Sequence, residues 1–196
     1  IFNYNKSAII KNALIKNASV GLYSYYSEGD TLDNVEITQC DFGLSLYNSY
    51  NNGNDKTLII NSNIHNSVRG ITMTVSRPRI ISCDITNNDY GIFCSNLSQP
   101  SLGEIENYGN NKISGNNIGL YATHSFPYLG LVGESDDSTL FGGQNELVNL
   151  YYNVLATNTS VVYAHRSWWG SEYPSEFKIE PVSSFDRVET DYYLEK

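Results

Sequence analysis

Basic side chains are scarce in this chain: 12 Lys and Arg stand against 21 Asp and Glu, for a formal charge of −9 and a pI near 4.7. A nucleic-acid partner needs a cationic face to displace counterions from phosphate, so that class is excluded. No targeting or membrane-spanning segment is legible, and no membrane insertion is expected. The chain starts at Ile1 and reads as a mature or internal piece of a longer parent. Cysteine is sparse and odd in number. Cys40, Cys83 and Cys94 cannot all pair, and three free thiols are expected. Glycines keep to a long period and form no phosphate-cradling loop. No 3.6-residue period is sustained, and Asn, Gly, Ser and β-branched residues crowd the chain, which excludes a bundle of amphipathic helices.

What is present is a repeat: Ile, five residues, Gly, then Ile or Leu. It occurs as Ile15-Gly21-Leu22, Ile37-Gly43-Leu44, Ile64-Gly70-Ile71, Ile85-Gly91-Ile92 and Ile113-Gly119-Leu120. A further copy reads Leu147-Asn153-Val154. The glycines are 22, 27, 21 and 28 residues apart, and Asn153 comes 34 residues after the last of them. A fixed minimum with irregular additions is the mark of a coil carrying variable loops at its corners. Asn48 to Lys56, Leu97 to Asn110 and Phe126 to Gln144, rich in Gly, Asn, Ser and Pro, are expected to be those loops. The Gly or Asn of the motif is expected to form a sharp corner at positive φ. Around it the pattern alternates with period two, as strands do, with Ala13, Val35, Ser62, Cys83 and Asn111 pointing inward before the Ile. Two residues past the motif apolar residue stand Asn17, Gln39, Asn66, Asn87, Gly115 and Asn149, expected to hydrogen-bond from rung to rung as a ladder.

These residues resemble the generic repeat of the pectate-lyase-like superfamily, N-x-I-x-x-N-x-x-x-G-I in outline, over about residues 8 to 165. The resemblance implies an all-β fold, a right-handed parallel β-helix (solenoid) of about six to seven coils. That number of rungs makes a rod on the order of 30 Å long. Ala164-His165-Arg166-Ser167-Trp168-Trp169-Gly170 is similar to the A-x-N-x-W-W-G segment that closes β-helix domains of large secreted bacterial proteins, with Ser167 in place of the usual Asn. In those proteins the segment leads into a Pro, an apolar stretch and a terminal Tyr-Leu or Trp-Leu, which Pro174, Phe177, Ile179, Val182 and Tyr193-Leu194 fit. The resemblance therefore implies coils over 1–165 and a C-terminal capping or extension segment over 166–196 that continues into the parent chain. Trp168 and Trp169 are expected to cover the end of the core.

Candidate chemistry is thin. Lyases of this superfamily hold calcium with clustered acids beside an Arg or Lys base. Asp41 and Asp89 share a column with Arg69 between them, but two rungs, roughly 10 Å, separate the aspartates, and Val68 fills the intervening place. Asp136-Asp137 is the one adjacent acidic pair, in a loop without the companions that hydrolases carry. Two neighbours in a loop do not flank a sugar bond at about 5–9.5 Å. His65, His124 and His165 have no second donor at metal-ligand spacing. Arg77-Pro78-Arg79 reads as a basic corner. No resident cofactor or metal is expected, calcium at the acidic loop being the one ion this composition admits.

Sixteen tyrosines are many for such a chain. One outward column reads Tyr23, Ser45, Thr72, Phe93, Tyr121, with Tyr25 and Tyr47 two places further on. Aligned flat rings can stack on sugar rings or on a protein, so Tyr23, Tyr25, Tyr47, Phe93 and Tyr121 are the candidate carbohydrate-binding residues. Stacked rings also stabilise neighbouring strands, by about 0.2–1 kcal/mol per pair. The function expected is a structural or adhesive module, secreted or at the bacterial cell surface, binding an extracellular polysaccharide or a surface protein. A polysaccharide lyase or glycoside hydrolase is the alternative, with no catalytic residue assigned. An acidic polysaccharide is expected to be a poor match for so acidic a chain unless calcium bridges the two.

Overall fold

The computed structural model describes residues 2–4, 6–27, 29–49, 57–103, 108–132, 140–165, 167–171 and 178–190. Among them every regular element is a strand. An eight-stranded parallel sheet, sheet 1, stacks in the order β1 (Phe2–Tyr4), β3 (Val20–Tyr25), β5 (Phe42–Tyr47), β8 (Arg69–Thr74), β11 (Tyr90–Ser95), β13 (Ile118–Thr123), β17 (Tyr152–Thr157) and β19 (Ile179–Pro181). A second face runs from β2 (Ile9–Lys16) and β4 (Thr31–Thr38) through β7 (Asn63–His65), β10 (Asp84–Thr86) and β12 (Lys112–Ser114) to β16 (Glu146–Val148). The first half of β4 pairs instead with β6 (Leu58–Ile60), which pairs with β9 (Arg79–Ile81) and opens a third face. Bridges at Ser101 carry that face on to β14 (Tyr128–Val132), which pairs with β18 (Val161–Ala164) and then β20 (Arg187–Glu189). Only β15 (Leu140–Gly142) pairs antiparallel, with β14, among the described strands. Each turn of the chain visits the third face, the second and the first, then rises one rung. This is a right-handed parallel β-helix.

The core is a set of vertical columns. Leu22, Leu44, Ile71, Ile92, Leu120 and Val154 point inward from sheet 1. The motif residues Ile37, Ile64, Ile85, Ile113 and Leu147 do so from the second face, and Leu32, Ile59, Ile80, Leu102, Leu129 and Val162 from the third. All are fully or almost fully buried, and each such side chain stabilises the fold by about 1.5–3 kcal/mol. Cys40, Cys83 and Cys94 are free and buried, Cys94 beneath sheet 1 in register with Met73 and Ala122.

Two sequence expectations about the corner need correction. The motif glycines Gly21, Gly43, Gly70, Gly91 and Gly119 are not at positive φ. They are required because a Cβ there would stand 2.6–2.8 Å from the carbonyl oxygen of the equivalent residue one rung on, a backbone atom that cannot yield. The left-handed residues are five of the six read as the amide ladder, Asn17, Gln39, Asn66, Asn87 and Gly115, at φ of 57°, 55°, 53°, 55° and 68°, while the sixth, Asn149, does link rungs. Two other corners repeat the device, with Asn12, Asn34, Asn61, Ser82, Asn110 and Gln144 at one and Tyr26, Asn48, Val75, Asn96, His124 and Asn158 at the other. Asn prevails because its short polar side chain tolerates this conformation better than most.

The buried ladder begins one residue after each corner. Asn88 donates from its backbone and side-chain nitrogens to Asn116 Oδ1, at 2.9 and 3.0 Å. Asn116 does the same to Asn149, and Asn149 to Asn153. A second ladder passes from Cys83 through Asn111 to Asn145, and a third uses hydroxyls, linking Ser49, Ser76 and Ser98 and then Ser125 and Ser160. Each corner amide that turns inward thus finds a partner on the next rung, which removes the desolvation penalty of burying it. The stretch Phe126 to Gln144, read as a loop, contains β14 and β15, because Leu129 is an inward rung position. Trp169 is 2% exposed and belongs to the core, while Trp168 bridges to Glu146 as a further rung of the second face.

Candidate functional site

Outside sheet 1 the side chains form three vertical columns. The alternation is broken at each motif Gly, so both neighbours of a Gly-Leu or Gly-Ile pair face outward. The first column reads Val20, Phe42, Arg69, Tyr90, Ile118, Tyr152, and the second Tyr23, Ser45, Thr72, Phe93, Tyr121, Leu155. The third reads Tyr25, Tyr47, Thr74, Ser95, Thr123, Thr157. Strand pairing sets these residues about 4.8 Å apart along the axis.

The structure divides the sequence-predicted rings into two groups on this face. Tyr23, Tyr25 and Tyr47 cluster at the early rungs. Tyr25 stacks on Tyr47 at 5.1 Å with an interplanar angle of 14°, and on Tyr23 at 6.0 Å. Tyr26, itself a corner residue, meets the Tyr25 ring edge-on at 4.5 Å. The Tyr25 hydroxyl titrates above the ordinary tyrosine range, first from lost hydration and then from the neighbouring Tyr26, Tyr47 and Tyr23 hydroxyls. Phe93 and Tyr121 form the second group at 5.0 Å, with Tyr90 edge-on to both at 5.7 and 5.9 Å. Thr157 donates to the Tyr121 hydroxyl at 3.2 Å. Between the groups lie Ser45, Thr72 and Thr74, a small polar floor.

Sequence reasoning missed Phe42 and Tyr90, and read Arg69 only as a basic residue between Asp41 and Asp89. All three precede a motif Gly, where simple alternation points a side chain inward. The Arg69 guanidinium lies over the Phe93 ring, 4.0 Å from its centroid, and 5.4 and 5.6 Å from those of Phe42 and Tyr90. Asp89 accepts from Asn117 Nδ2 at 3.0 Å. Asp136 and Asp137 lie outside the described residues. His65 interacts with Glu36 at 3.1 Å, His124 with Thr159 at 3.4 Å, and His165 is buried with Glu189 4.0 Å away.

A family model described as "NosD: Periplasmic copper-binding protein (NosD)" matches residues 1–179. No curated protein and no solved structure gives a significant match. The description corrects the expectation that no cofactor is involved, since copper is the metal it names. The described residues do not assemble a donor set for that ion. No three of their His, Cys, Asp or Glu side chains come together. The thiol of Cys83 is pushed up to about 12 by burial, partly offset by backbone hydrogen bonds, and that of Cys94 is raised further by burial. Both stay protonated at neutral pH, whereas the thiolate is the form that binds metal.

Proposed function

The chain belongs to the NosD family, whose description is periplasmic, and we propose a glycan-binding module of the bacterial cell envelope that contacts polysaccharide through the outer columns of sheet 1. The observation that carries the reading is the gathering of rings on one face. Tyr23, Tyr25, Tyr47, Phe93 and Tyr121 stand half-exposed at rung spacing, joined by Tyr90 and Phe42. A sugar ring presents an apolar face of C–H groups and a rim of hydroxyls. Flat aromatic surface takes the first, and the Ser45 and Thr74 hydroxyls between the two clusters can hydrogen-bond the second. The β-helix supplies the rigidity that keeps such a row in order without a loss of side-chain freedom on binding. The enzyme alternative has no comparable observation behind it: among the described residues no three His, Cys, Asp or Glu side chains gather.

Affinity electrophoresis through gels containing neutral and acidic polysaccharides tests the reading. Wild type is expected to be retarded by at least one polymer, and Tyr25→Ala combined with Tyr121→Ala to abolish the retardation. The Tm of that variant should fall by several degrees with the transition still cooperative, since five ring pairs are lost at about 0.2–1 kcal/mol each. Unretarded migration of wild type in every gel would remove the glycan reading.

A further inference from the structure

Resting on the glycan reading, we propose that the ligand is a carboxylated sugar, a uronate-type residue, whose ring lies on Tyr121 and whose carboxylate is taken by Arg69. The protein is acidic overall, so a guanidinium at the centre of its aromatic face calls for an explanation. Three rings cradle that cation, and it makes no hydrogen bond or ion pair among the described residues. The aromatic faces hold the charge in place through their quadrupoles and leave the N–H groups of the fork unspent. Asp41 and Asp89, which precede its register partners Phe42 and Tyr90, form no ion pair with it. Beside it on the same strand, the covered hydroxyl of Thr72 is also without a hydrogen-bond partner among the described residues.

A planar fork of donors matches a carboxylate with two parallel charge-assisted bonds, the geometry for which Arg is suited and Lys is not. The neighbouring rings supply the other half of the recognition. Phe93 lies under Arg69 and 5.0 Å from Tyr121, so a pyranose over Tyr121 directs an equatorial carboxylate toward the guanidinium. An acidic polysaccharide then needs no calcium bridge. The net charge of the chain repels such a polymer at long range, while the local cation receives it within a screening length of about 8–10 Å.

The test compares polygalacturonate with the same polymer after its carboxyl groups are reduced to alcohols, both with a chelator present, using the full chain. Wild type is expected to bind the carboxylated polymer roughly tenfold more tightly than the reduced one. Arg69→Gln should remove that ratio, and Arg69→Lys should restore only a small part of it. Equal binding of both polymers by wild type would overturn the carboxylate assignment and leave the glycan reading intact. So would an undiminished ratio in Arg69→Gln, or equally tight binding of a sulfated polymer that has no carboxylates, which would mark plain charge attraction. Absence of binding to either polymer overturns the assignment, and the glycan reading too if the wider panel is also negative. A melting curve on each variant excludes misfolding as the cause.

Discussion

A methyl group added to Gly70 would stand 2.7 Å from the carbonyl oxygen of Gly91 and 3.0 Å from the Asn88 amide. Neither atom can retreat, because both belong to the next rung. Gly70→Ala is therefore expected to lower the unfolding free energy by about 2–4 kcal/mol in urea titrations. Four residues earlier the situation reverses. Asn66 already sits at φ 53°, so Asn66→Gly is expected to change stability by less than about 1 kcal/mol. The pair of variants separates close approach from backbone handedness as the reason for the motif glycine. Burial also governs the thiols. The folded Cys83 thiol titrates near 12 against an ordinary value of 9.0, so folding favours the protonated form. Its contribution is intact below about 9 and is lost as pH rises through the folded value near 12. Between pH 8 and 11 the Tm of wild type should fall more steeply than that of Cys83→Ala.

At the scale of the element, the strands are short and their hydrogen bonds run between rungs, so the corner ladders decide whether a rung seats correctly. Asn116 serves four groups: it accepts from the Asn88 backbone and amide, and donates to Ile85 O and Asn149 Oδ1 at 2.9 Å each. Asn116→Ala strands several of these in the core and is expected to cost about 3 kcal/mol, measured by chemical denaturation. Its exposed neighbour gives the control: Asn117→Ala removes only the bond to Asp89 and should stay within about 0.5 kcal/mol. The Ile-to-Gly spacing made the strands, the inward columns and the outward rows of Tyr23, Phe93 and Tyr121 legible in the sequence, since each is a product of period two. The ladder was displaced by one residue because Asn fills both the left-handed corner and the rung-to-rung position, as at Asn87-Asn88, and composition alone does not separate the two tasks. The place of Arg69, Phe42 and Tyr90 on the outer face was hidden for a related reason. The Gly beside each lets the strand bend, and two residues separated by a Gly and an inward apolar side chain then share the outer face.

Taken whole, the molecule is a linear stack in which a rung touches only the rungs above and below it. Stability in such an array is close to a sum of rung terms and nearest-neighbour terms, so damage at one level weakens that level and its two contacts first. The three faces divide the labour. The inner columns and ladders fix height and register, the corners turn the chain from face to face, and sheet 1 turns its rings and the cradled Arg69 guanidinium outward. One consequence concerns change over time. Because register is locked from inside by Asn88, Asn116, Asn149 and their counterparts at the other corners, the outward residues of sheet 1 carry little of the folding constraint. Each level is a separate slot in a vertical script. A lineage can rewrite one slot, Thr72 into an aromatic or Arg69 into an acid, and shift what the surface reads at that height while every other level keeps its meaning.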